Sequence, residues 1–263
     1  MTDLSHAALK ARHRNEREGW RNEQLSLRIH RSLSWLGRAE QLRLPDGSDD
    51  PDTRFILLWI AFNAAYASDI KAHAGETERD QFMDFITDLH RIDSHHRLHD
   101  LIWTAFPGVI RNLLDNRYLF EGFWRHHRGD RDASGVLLDW EGPFERANAS
   151  AFKALGRQDT IEVLSICLSR IYMLRNQVVH GGATWASSRN RPQVRDCAGL
   201  MARLVPVILS IMMDRPDHYW SAAAFSVVGV SLIQKSTAHE MAAVDDGAGT
   251  GCRHGPGPVA APG

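Results

Sequence analysis

An arginine, an asparagine and a histidine stand close together at Arg175, Asn176 and His180, in the stretch LRNQVVHGG. These residue types suit cleavage of RNA without a metal. A histidine moves a proton to or from the 2′-hydroxyl or the leaving 5′-oxygen near neutral pH. An arginine holds the phosphate and stabilises charge on its oxygens in the transition state. An asparagine orients either group or the ribose. The plainer alternative is a salt-bridged arginine and a histidine that favours the negative end of a helix dipole. Spacing alone is weak, because Arg-x4-His recurs at Arg91 and His96 in a chain with 14 histidines. Context separates the two copies: the first closes an apolar helix, the second does not.

That helix is expected over residues 159–182. Asp159, with Glu162 three residues on, reads as an N-cap and capping box. Gly181 and Gly182 read as its C-terminal stop. Between them Ile161, Leu164, Leu168, Ile171 and Val178 follow the spacing of a buried face. Arg175 falls on this apolar stripe and must find a partner there, since a buried unpaired charge is costly. A second stripe is polar: Glu162, Ser165, Ser169, Tyr172, Asn176 and His180. At about 100° per residue, Asn176 and His180 lie roughly 40° apart, whereas Arg175 and His180 lie roughly 140° apart. Arg175 and His180 therefore converge only through adjustment of the helix end or through a second chain.

Other candidates are weaker. Arg189, Arg191 and Arg195, with Trp185 and Asn190, form either a basic rim that steers RNA phosphates, with Trp185 free to stack on a base, or an ordinary solvated helix start. His95 with His99, and His96 with Asp100, have the spacing of metal-ligand pairs on a helix, but no third ligand stands nearby. His126 and His127 are weaker still. We expect no metal and no cofactor. Cys167 reads as a small core residue. Trp59, Trp103, Trp124 and Trp140 read as core aromatics, and Asn63, one turn from Trp59, as a buried hydrogen-bonded side chain. There is no P-loop, dinucleotide fingerprint or nucleophile elbow.

With 31 basic and 32 acidic residues, the chain is not a globally basic nucleic-acid binder, though a local patch remains compatible. Three widely spaced cysteines argue against a secreted disulfide framework. The N-terminus has no apolar stretch of signal-peptide type, and the apolar runs around 204–213 and 222–230 read as too short to span a bilayer. We expect a cytoplasmic protein with no membrane partner.

Along the chain, residues 1–24 are charged and expected to fray. Residues 25–235 carry helical periodicities: Leu25, Ile29, Leu33 and Leu36; RFILLWIAFNAAY after the acidic turn PDGSDDPD; Phe82, Phe85, Ile86 and Leu89; a segment opened by Pro107; and another from Pro143. A loop is expected over 129–135. After the motif helix comes a long one marked by Val194, Cys197, Met201, Leu204, Val205, Ile208 and Met212, with Asn190 as a cap and a kink expected at Pro206. Residues 236–263 are rich in Gly, Pro and Ala and are expected to be disordered. No segment alternates, so the fold class is all-α.

LRNQVVHGG resembles the motif of HEPN domains, an all-helical family with an Arg, a polar residue and a following His. RFILLWIAFNAAY and the helix after the motif are also similar to that family, over about residues 25–215. The resemblance implies a helical bundle with a long central motif helix. It implies a homodimer through the 159–182 helix, in which two Arg-His pairs face one another. It implies a metal-independent endoribonuclease: in-line attack by the 2′-hydroxyl, leaving a cyclic phosphate and a 5′-hydroxyl. On these positions Arg175 binds phosphate, Asn176 assists and His180 is the acid/base. Ser165 and Ser169 are small enough to admit the second chain closely. The partner is then RNA, in a toxin, stress or phage-defence setting, with a protein regulator or antitoxin. In toxins silenced by a nucleotidyltransferase a tyrosine follows the His; here Gly181, Gly182 and Ala183 follow. Family members without activity act as dimerising or RNA-binding modules, which is the alternative reading.

Overall fold

Side-chain caps set most of the long helices. Ser5, Asn22, Asp50, Thr77 and Asp159 each accept a backbone N–H from the first turn that follows, and Thr77 with Asp80 forms a full capping box. The computed structural model describes residues 4–42, 47–68, 77–182, 184–188 and 191–225. Among them ten α-helices run in order: α1 (His6–Glu16), α2 (Glu23–Gln41), α3 (Pro51–Tyr66), α4 (Glu78–Ile92), α5 (Arg97–Asp100), α6 (Pro107–Asp115), α7 (Glu121–His127), α8 (Glu141–Gly156), α9 (Thr160–Val179) and α10 (Arg191–Asp214). A π turn over Leu101–Ala105 links α5 to α6, and a 3-10 turn over Arg117–Leu119 precedes α7. No strand forms among the described residues; only the isolated bridges Ser68–Ala223 and Arg131–Leu137 do. The chain is all-α.

The core sits between α2, α3 and α10, and α9 joins it against α3, α4, α6 and α8. Leu25, Ile29, Leu33 and Leu36 on α2 are all buried, as are all seven positions expected for α10. Helix α10 runs unbroken through Pro206, with Arg191–Asp214 as a single span. The whole helix, unlike the 204–213 run taken alone, is long and apolar enough by length and composition to cross a bilayer. Its most apolar window has a mean hydropathy of 1.7, but 78% of that window is buried against the rest of the chain.

Residues 6–16 do not fray. Ser5 caps α1, and Leu9 and His13 are buried where α1 packs on α2 and α10. The charged composition hid this because two inward positions suffice to dock a helix of three turns. After α10 the chain returns to α2: buried Arg28 donates to the carbonyls of Ala65, Ala67, Ser221 and Ala222. Asn190 and residues 236–263 lie outside the described residues.

Candidate active site

The end of α9 is a full Schellman closure. Gly182 N–H donates to Gln177 O (2.7 Å) and Gly181 N–H to Val178 O (3.3 Å). Gly181 has φ +71°, and a Cβ on Gly182 would stand 3.1 Å from Gln177 O, so both glycines have a backbone reason to be here. At the other end Asp159 Oδ1 accepts from Glu162 N–H at 3.1 Å. The buried face of α9 is Val163, Leu164, Cys167, Leu168, Arg170, Ile171 and Leu174. Between its caps the helix holds Arg175, Asn176 and His180 on its last turns.

Arg175 finds its partners on α3, on α4 and on its own helix. Its Nη1 donates to Asn176 Oδ1 at 2.9 Å and lies 3.8 Å from Glu78 Oε2. The guanidinium also stands 5.9 Å from the ring centroids of Trp59 and Tyr172. Glu78 is the hub of this cage. Tyr172 donates its hydroxyl to Glu78 Oε2 at 3.3 Å, and the Tyr66 hydroxyl lies 3.2 Å from Glu78 Oε1 while donating to Asn63 Oδ1 at 2.6 Å. Burial, reinforced by the charge of Glu78, pushes the Tyr66 phenol far above its ordinary value. Burial also raises Tyr172, reinforced by Glu78 and opposed by a hydrogen bond with Asn176. Both phenols are thus neutral donors at physiological pH. Two buried donors here, Arg175 Nε and Trp59 Nε1, have no partner within the described protein.

Asn176 and His180 face elsewhere. The polar stripe of α9 (Glu162, Ser165, Ser169, Tyr172, Asn176 and His180) floors a groove of about 890 Å³. Arg79 and Met83 of α4 wall one side; Phe120, Glu121 and Arg128, with Ala147 and Ser150 of α8, wall the other. The serines expected to admit a second helix therefore lie below walls, and Ser169 Oγ accepts from Arg79 Nε at 3.0 Å. His180 is exposed at the helix end. Arg175 is not among the groove's lining residues, and no hydrogen bond joins it to His180 among the described residues. Asn176 links the two, bonded to Arg175 and lining the groove with His180.

The expected basic rim divides. Arg191 is paired with Asp52 at the start of α3, so its charge is already met. Asp50 beside it is pushed up by burial but held below the usual carboxylate value by hydrogen bonds from Thr53 and Trp185 and by the charge of Arg191. Trp185 remains 64% exposed and Arg195 is exposed. Arg189 lies outside the described residues.

The expected metal pairs do not share a helix, because His96 has φ +53° and α5 begins only at Arg97. No group of three metal-ligating side chains occurs among the described residues. Cys167 is fully buried, and that burial pushes its thiol up to about 12. Of the tryptophans expected in the core, Trp59 is buried, while Trp103, Trp124 and Trp140 are half-buried.

Glu78, Tyr66 and Arg170 were not anticipated. Glu78 carries no pattern of its own beyond opening α4. Arg170 did give a signal: it falls on the apolar line Val163, Cys167, Leu174, the same oddity that marks Arg175. Compared with protein families, with curated proteins and with solved structures, the chain has no match.

Proposed function

We propose that the chain is a metal-independent endoribonuclease of the HEPN kind. It would act in the cytoplasm as a homodimer joined near the C-terminal end of α9, in a toxin, stress or phage-defence setting. The observation that carries this reading is the constellation at that end. Arg175 is held by Glu78, Asn176 bridges it to the groove, and His180 projects from a fixed helix terminus. Arg175 supplies charge to the scissile phosphate and His180 moves the proton between the 2′-hydroxyl and the leaving oxygen. Asn176 holds Arg175 and orients the ribose.

The dimer supplies what one chain lacks, an arginine opposite each histidine. Val179, 50% exposed beside His180, offers apolar surface for the second copy. The test is to mix two inactive variants, Arg175→Ala and His180→Ala. A mixed dimer holds one intact arginine and one intact histidine on different chains, and recovers part of the activity. No recovery from a verified mixed dimer contradicts a composite site.

A second reading is a silent dimerising or RNA-binding module. The observation favouring it is that Arg175 is engaged inside its own chain and makes no bond to His180. Under that reading RNA binds, and His180→Ala changes nothing.

A further inference from the structure

The groove along α9 contains a cation that the cleavage reading leaves unused. Arg170 is only 4% exposed, yet it lines the groove. Its guanidinium stands 4.9 Å from the Phe120 ring and 5.4 Å from the Phe144 ring, and Nη2 reaches Asn148 Oδ1 at 3.4 Å. None of these partners is an anion. Burial lowers its pKa to about 10, which leaves it charged at neutral pH. A buried cation without a counter-charge is costly, and nearby anions lower that cost.

The surroundings favour an anion from outside. Arg79 and Arg128 line the same groove and are both exposed, against two carboxylates, Glu121 and Glu162. Among the described residues Arg79 donates to Ser169 Oγ and forms no ion pair, and Arg128 shares Asp130 with Arg125. Ser150, Ser165 and Ser169 add hydroxyls, while Ile166 and Met173 add apolar surface that suits a base. The volume of about 890 Å³ falls within the ~300–1,000 Å³ of small-molecule sites.

We propose that this groove is a phosphate-ester site, centred on Arg170 and edged by Arg79 and Arg128, that takes a nucleotide unit. Arg170 lies about 15 Å from His180 along the helix axis. If the cleavage reading holds, on which this part rests, Arg170 grips a phosphate further along the strand cut at His180. A free nucleotide presents the same phosphate chemistry.

The experiment uses the full chain carrying His180→Ala, so that RNA stays intact, alone and combined with Arg170→Met or Arg79→Ala. Melting is followed in sodium phosphate, in AMP and in chloride at matched ionic strength. Anisotropy follows a labelled single-stranded RNA decamer across salt. We expect the Tm to rise in phosphate or AMP and the rise to vanish with Arg170→Met. Decamer binding should weaken about tenfold, and the salt slope should fall by about 0.7 for one lost phosphate contact. Arg79→Ala, at an exposed position where misfolding is no concern, should weaken binding by about threefold. Protection by AMP without decamer binding assigns the site to a free nucleotide, and decamer binding with AMP competing assigns it to a strand. Absence of binding in every arm, or an unchanged response with Arg170→Met, overturns the proposal. Cleavage is read in none of these arms, so an inactive protein with Arg170-dependent protection keeps the site and loses only the nuclease.

Discussion

Arg170 and Arg175 leave the same helix little more than one turn apart and meet opposite surroundings. Arg175 has an internal anion, Glu78, two aromatic faces and the Asn176 amide. Arg170 is more deeply buried and has two aromatic faces and Asn148, but no anion among the described residues. One guanidinium is held in place from within; the other is desolvated and waits for charge from without. A cation on an apolar stripe thus announces a special site but does not say which kind.

Activity should separate the two arginines most strongly. Arg175→Ala should lower kcat by about 10²–10³-fold, the size of losing a transition-state donor. Arg170→Met should act mainly on KM, by about tenfold. Equal kcat losses from both would erase the distinction. Stability separates them next. Arg170→Met should be neutral or stabilising, because a buried charge with no anion among the described residues gives way to an unbranched apolar side chain that still packs beside the rings. Arg170→Ala should fall below Arg170→Met by about 2 kcal/mol or more in denaturant melts, as the space beside Phe120 and Phe144 empties. The Glu78 ion pair is long and partly exposed, so Glu78→Gln should cost only ~1 kcal/mol while still reducing cleavage.

A pH series sharpens the picture of the cage. Tyr66 has a raised pKa when folded, so its contribution is complete below pH ~10 and is lost as the unfolded phenol ionises above that value. Wild-type stability should drop by up to ~1.4 kcal/mol per pH unit there, and Tyr66→Phe should drop less steeply. A similarly small effect concerns the frame. Gly181→Ala forces an alanine to φ +71° and should cost ~1 kcal/mol, seen as a few degrees of Tm.

Much of the frame was legible. Alternation was absent, and the three-four spacing placed α2, α3, α4, α9 and α10, with the caps at Asp159 and at Gly181 and Gly182. Local chemistry writes these features, so local sequence reveals them. Helix α1 was missed because only Leu9 and His13 turn inward, too few to show a period. The site was half legible. Its polar stripe was read correctly as one face of α9, but that it floors a groove depends on α4, α7 and α8, far off in sequence. Glu78, the partner that Arg175 had to have, sits almost a hundred residues upstream with nothing in its neighbours to mark it. Arg191 read as free only because its partner Asp52 belongs to another helix.

Composite-site cleavage is tested by incubating the purified chain with cellular RNA in EDTA, beside Arg175→Ala and His180→Ala, with product ends read chemically. The expected result is cleavage by the wild type alone, unaffected by EDTA, leaving cyclic phosphate and 5′-hydroxyl ends. Cleavage that persists in His180→Ala, or a folded wild-type dimer that binds RNA and leaves it whole, would contradict it.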